Sequence, residues 1–132
     1  MGSVTALPRI VDGCSIASAD LSALQYCFVK KHTDGTIKAI AAATDIPYGV
    51  LQAGVTSGGV CDIVLVGGTK LKAGAAINPG TLIGTGSTGK GVALTPGTDT
   101  TKYILGQFCD VAGADGDEVA AVVNCINPAR AA

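Results

Sequence analysis

The sequence predicts a small all-β domain, a barrel or a sandwich. Three observations point there. About eight or nine short apolar runs are separated by turn residues roughly every 8–12 positions. No run of ten or more residues carries a helical period. The chain of 132 residues has 48% hydrophobic residues but only 4% aromatic ones, and 19 glycines punctuate it. Ala, Val, Ile and Leu carry the apolar fraction, as in a domain with a packed core of short strands.

Residues 1–20 have weak periodicity and are punctuated by Pro8 and Gly13. They read as an extended N-terminal arm, with the β domain over 21–126 and a short tail over 127–132. Residues 21–31 (LSALQYCFVKK) read as a strand rich in Tyr26, Phe28 and Val29. Asp34-Gly35 is a hairpin turn signal because glycine tolerates positive φ. Residues 36–43 (TIKAIAAA) are the returning strand; the alanines leave helix as the alternative, against which the run is short. Pro47 opens a short strand over 46–52. Residues 60–66 (VCDIVLV) are the strongest strand: Cys61, Ile63 and Leu65 alternate with Val60, Val64 and Val66, and Asp62 alone interrupts. A strand apolar on both faces is buried on both, by its own core or by another subunit.

Gly67-Gly68 reads as a turn and 69–72 as a short polar piece. Residues 73–80 read as a loop ending in an Asn-Pro-Gly turn. Residues 81–84 and 91–95 flank a Ser/Thr/Gly tip. Residues 103–111 and 118–126 read as long apolar strands joined by 112–117 (AGADGD).

Composition excludes several functions. Lys plus Arg number 9 against 10 acids, a net charge of −1, so the basic excess of a nucleic-acid binder is missing. High hydropathy with 14% charge argues against disorder. Gly, Pro, Thr and charges break every run before about 18 apolar residues, so no membrane span is expected. The N-terminus lacks a basic region followed by an apolar run, which argues against a secretory signal. The five cysteines, Cys14, Cys27, Cys61, Cys109 and Cys125, form no C-x-x-C pair. They read as reduced thiols used as small core residues, and no metal or cofactor is expected.

Gly84-Thr85-Gly86-Ser87-Thr88-Gly89-Lys90-Gly91 matches G-x-G-x-x-G and nearly a P-loop. Gly91 stands where the magnesium-binding hydroxyl belongs, and no helix follows, so a hairpin tip is the better reading. Asp110, Asp115, Asp117 and Glu118 surround a glycine-rich turn without calcium-loop spacing. The single histidine, His32, lies beside Asp34 with nothing tying it to a nucleophile. No catalytic residues are assigned.

Five ordered pieces carry a resemblance. They are 21–40 with its D-G turn; Asp45-Ile46-Pro47-Tyr48-Gly49-Val50-Leu51-Gln52; 60–74 with its valine-rich strand and glycines; 78–84 with 89–92; and 105–107 through 116–117 to 119–123. Together they cover about four-fifths of the chain. In this order they resemble the capsid decoration, or cement, proteins of tailed bacteriophages. The resemblance implies a compact β-barrel-like or tulip-like fold without catalysis. It implies homotrimers on the outer capsid surface at local three-fold positions, with the major capsid protein as partner. It implies synthesis in the host bacterial cytoplasm and no nucleic-acid or membrane partner. Residues 1–20 and the five cysteines depart from the pattern. On this reading Leu7, Pro8, Arg9, Ile10 and Val11 are the candidate capsid contact, being apolar and extended with Arg9 free for a carboxylate. Val60, Asp62, Val64 and Val66 are the candidate trimer contact, with a buried core strand as the alternative. The rival function is a tail- or fibre-associated, or host-binding, β-module of a virion.

Overall fold

The structure is a computed structural model that describes residues 9–132. It is all-β, as the sequence predicts: an antiparallel sheet curls into a half-barrel, and no helix occurs among the described residues. The strands in chain order are β1 (Arg9–Asp12), β2 (Phe28–Lys31), β3 (Ile37–Ala39), β4 (Gly49–Leu51), β5 (Ile63–Lys72) and β6 (Leu82–Thr85). They continue with β7 (Gly91–Ala93), β8 (Tyr103–Ile104), β9 (Gly106–Phe108), β10 (Glu118–Asn124) and β11 (Ala129–Arg130). The main sheet runs β3-β2-β4-β5-β10-β9-β6-β7, with β1 also on β5; β8 and β11 form a separate pair.

β5 is the spine. Ile63 and Val64 pair with β1 and also with β4. Val66 and Gly67 pair with β1 and also with β10. A residue with two antiparallel partners holds one on each edge, so β4 and β10 share one edge of β5 and β1 takes the other.

Because β2, β4 and β5 alternate apolar side chains, they feed two cores. Phe28, Val50 and Val64 point into the larger one with Leu71, Ile83 and Phe108. Val29, Leu51, Ile63 and Leu65 point into a second, closed by Ala17 and Leu21 from the segment before β2. Within the doubly apolar run 60–66, Ile63 and Leu65 are thus buried on one face and Val64 on the other by their own chain, whereas Val60 is exposed and Val66 half-buried. Of the expected arm, residues 1–8 lie outside the described residues. Arg9–Asp12 forms β1, and Ala17 is 3% exposed in the second core.

Several expected bounds shift. Residues 21–27 are turns, not strand. Asp20 accepts the Ser22 N–H, Leu24 and Cys27 close successive turns, and Tyr26 takes a left-handed φ of 60°. β3 ends early because the Asp45 carboxylate accepts the N–H groups of Ala41 and Ala42 and turns the alanines away. Gly67-Gly68 is not a turn: β10 pairs along β5 from Val66 to Lys72, and this long-range ladder outweighs the local turn preference. The expected strand 103–111 is broken after Ile104. Gly106, at φ 149°, redirects the backbone so that β8 pairs β11 and β9 pairs β10. The expected tail therefore carries a short strand. The Asp34-Gly35 hairpin, the Asn-Pro-Gly turn and the 112–117 turn form where the sequence places them, with Gly35, Gly80 and Gly116 at positive φ.

Candidate interaction surface

The sheet ends are covered by the chain itself. β3 meets Ala17 in a parallel bridge, and β7 meets Ala73 through Gly91. β1 is different. Among the described residues it pairs only with β5, and Ile10 and Val11 are 55% and 53% exposed. Edge strands of this kind are usual sites of pairing with another chain. Of the candidate capsid contact, Arg9, Ile10 and Val11 thus lie together on an exposed strand. Leu7 and Pro8 lie outside the described residues.

The far end of β1 is fastened by a polar cluster that no sequence motif announces. The Asp12 carboxylate accepts hydrogen bonds from Ser15 Oγ at 2.6 Å, Tyr48 Oη at 2.6 Å and the Cys14 N–H at 2.8 Å. Lys31 Nζ donates to Ser15 Oγ at 2.8 Å, lies 3.7 Å from Asp12 Oδ2 and sits 4.5 Å above the Tyr48 ring. The Ser15 and Tyr48 hydroxyls hold the Asp12 carboxyl well below the usual carboxylate range. Burial, helped by the Asp12 hydrogen bond and charge, pushes the Tyr48 hydroxyl up to about 12. The cluster ties β1 to β2 and to the approach to β4. Asp12 and Tyr48 are 36 residues apart, so local spacing carries no signal for it.

The signs of these shifts set a pH profile. Asp12 contributes stability that is full above its unfolded value of 3.8 and is lost as pH falls towards its depressed folded value. Tyr48 contributes stability that is full below its unfolded value of 10.0 and is lost as pH rises towards about 12. Tyr48→Phe is expected to cost about 1.5–3 kcal/mol at neutral pH, the usual worth of a hydrogen bond to a charged group. Urea melts at pH 7, 10 and 12 check it. The variant should lose less of its remaining stability between pH 10 and 12 than the parent does. Equal alkaline losses in both would remove Tyr48 from the clamp.

The candidate trimer contact divides. Val60 is 60% exposed and bridges Ile16, and Asp62 is exposed. Val64 is fully buried in the larger core, between its partners Val11 and Val50, so it is not presented to a second subunit. Val66 is half-buried and looks onto a groove of about 420 Å³ on the outer face of the sheet. Val66, Leu82, Ile104 and Val122 make it apolar, and Gln107 and Asn124 add amides. The sequence reading missed this groove, since strands far apart in the chain assemble it.

The remaining motifs do structural work. Residues 84–91 form the β6–β7 hairpin tip: Gly86 donates to the Lys90 carbonyl, and the Gly89 carbonyl accepts the Phe28 N–H at 2.7 Å, docking the tip on β2. The Asp117 carboxylate accepts the N–H groups of Gly113 and Ala114, Asp115 pairs with Lys90 at 2.9 Å, and Glu118 lies 3.9 Å from Lys72. His32 and Asp34 are neighbours on the exposed β2–β3 turn. Burial raises the thiols of Cys27, Cys61 and Cys125, the last to about 12, as for thiols used for packing. Cys14 and Cys109 are exposed, so three cysteines are core residues where the sequence places four in apolar runs.

No family model matches the chain, and no curated protein does. Among solved structures, the fold is similar to that of the head fiber gp8.5 N base in bacteriophage phi29, with a TM-score of 0.61 and 21% identity. The likeness spans 89% of this chain and 94% of that one.

Proposed function

We infer that this chain is a structural protein of a bacteriophage virion, seated on the outer surface of the head. The observation that carries the reading is the likeness in fold to a head-fiber base over nearly the whole of both chains. In finer terms it is a decoration protein, made in the host cytoplasm, bound to the major capsid protein as homotrimers at local three-fold positions. No catalysis is part of this role. A net charge of −1, 14% charged residues and the open edge of β1 suit protein contacts rather than phosphate binding.

Such a protein would stabilise by mass action. If it binds the mature shell better than its precursor, each copy shifts the equilibrium towards the mature state. Many weak contacts then add across the shell. Arg9, Ile10 and Val11 are the described residues assigned to the shell contact.

The test is to band particles on a density gradient and to measure this chain against the most abundant shell protein by mass spectrometry. Co-banding near one copy per shell subunit is the expected result. Recovery only in the soluble fraction overturns the virion reading. Replacing Ile10 and Val11 by serine is expected to lower occupancy about tenfold or more, each side chain giving up roughly 1 kcal/mol of apolar burial. Unchanged occupancy would take β1 out of the contact. The second reading, a module of a fibre or tail, is favoured by the matched structure being the base of a fiber. A few copies per particle, with label on an appendage rather than across the shell, would select it.

A further inference from the structure

We propose that β1 is a latched strap: it swings off β5 about Gly13 while the rest of the sheet stays folded, and the Asp12 carboxylate is its latch. The side chains of β1 do little to hold it. Arg9, Ile10 and Val11 are exposed, and none of the residues Arg9–Asp12 belongs to either buried cluster. A short ladder joins the strand to β5, and that ladder is interrupted. Ile10 stands opposite Val66 and Val11 opposite Val64, so Leu65 is an extra residue without a partner in β1. A bulge of this kind leaves the extra residue unpaired and weakens the pairing around it.

β5 keeps its other edge without β1. β4 pairs with Ile63 and Val64 there, and β10 pairs from Val66 to Lys72. The Leu65 carbonyl accepts the Cys125 N–H at 2.9 Å, so even the bulged residue is held from that side. The chain is fastened again just after β1. The Ser15 carbonyl accepts the Cys61 N–H at 2.8 Å, the Ile16 carbonyl accepts the Ile37 N–H at 2.8 Å, and Ala17 is buried in the second core. Gly13 stands between β1 and these fixed points. It is exposed, and a Cβ there would meet nothing within 4 Å, so no neighbour opposes rotation about it. Glycine also has the widest choice of backbone angles.

The latch is a charged cluster at the hinge end of the strap. One Asp12 oxygen accepts the N–H groups of Cys14 and Ser15 at 2.8 and 3.1 Å. The other accepts the hydroxyls of Ser15 and Tyr48, both at 2.6 Å. Hydrogen bonds to an ionised group are roughly twice as strong as neutral ones. The partners are themselves fixed. Tyr48 packs against the second core, and its N–H donates to the Val29 carbonyl at 2.8 Å. Lys31, in β2, brings its charge to 3.7 Å from Asp12. A segment with few buried contacts and one strong fastening opens locally, at its own free energy, without the rest of the fold. Arg9, Ile10 and Val11 travel with the strap, so the latch governs whether they stand in register on β5.

The test is amide hydrogen exchange, followed by NMR on the isolated full chain in urea below its unfolding transition. The β1 amides bonded to β5, with that of Ser15, report the strap. The amides of Leu51, Lys72 and Cys125 report the rest of the fold, since they donate to the carbonyls of Cys27, Tyr26 and Leu65. Corrected for intrinsic rates, the strap amides should share one opening rate, at least about a hundredfold faster than the others. Urea should leave that rate unchanged, because the opening exposes little surface. Tyr48→Phe removes one bond of the latch and leaves ladder and hinge intact. It should speed strap exchange about ten- to a hundredfold, still without urea dependence. The proposal is overturned if the strap amides follow the urea dependence of Leu51, Lys72 and Cys125, for β1 then leaves only with the whole fold. A graded loss of protection from Arg9 inward, which is simple fraying, overturns it too. So does unchanged strap exchange in Tyr48→Phe. The measurement needs no shell, so it succeeds or fails independently of the virion reading.

Discussion

Gly106→Ala is expected to lower the melting temperature by about 8 °C or more, as a loss of a few kcal/mol does in a domain of this size. Gly106 stands where the chain leaves β8 for β9, at φ 149°, a conformation that side chains rarely adopt. A Cβ there would overlap the Val122 carbonyl oxygen and lie 2.9 Å from Val123 Cα. Both atoms belong to the backbone of β10, which is held by β5 on its other edge and cannot retreat cheaply. Backbone strain and overpacking together cost on the order of 2–6 kcal/mol. Total stabilities of about 5–15 kcal/mol leave little to absorb that. Gly116→Ala is the control. Gly116 has φ 91° with nothing within 4 Å of an added Cβ, so only about 1 kcal/mol of backbone strain is expected. Calorimetry on both variants checks the pair. Equal small shifts would show that β10 yields and that the close approach is not a constraint.

Val64→Asp is expected to abolish cooperative folding, whereas Val60→Asp should leave the melt within about 0.5 kcal/mol of the parent. The residues are four apart and of one type, yet their surroundings are opposite. Val64 is fully buried among Phe28, Val50 and other apolar side chains of the larger core, where a carboxylate finds no partner. Val60 is 60% exposed before β5 begins. Urea denaturation and sedimentation of both variants decide two questions at once. A folded Val64→Asp would contradict its place in the core. A folded Val60→Asp that still self-associates like the parent would remove Val60 from the trimer contact.

The same two residues show where sequence reading stops. In 60–66 the alternation predicts burial on both faces; Cys61, Ile63 and Leu65 are buried on one, but on the other only Val64 is, with Val60 exposed and Val66 half-buried. Periodicity reports that a face is apolar; it does not report what covers it. Residues 17 and 21 cover one side here, and β6, β9 and β10 help close the other.

Turn chemistry was legible on its own. Asp34-Gly35, Asn78-Pro79-Gly80 and the tip 84–91 turn where they stand, because positive φ and missing N–H groups are properties of a few adjacent residues. Gly67-Gly68 carries a similar local signal and yet continues a strand, since β10 pairs straight through it. The Asp12–Tyr48 clamp and the outer-face groove join residues dozens of positions apart. The sequence by itself therefore determined the all-β class, the main hairpins and the apolar strands, all of which follow from short-range alternation and turn propensity. Only the tertiary structure decided which edge stays open, which apolar faces are covered and which carboxylate is clamped. Those depend on long-range pairing, whose energy is realised only when distant strands meet.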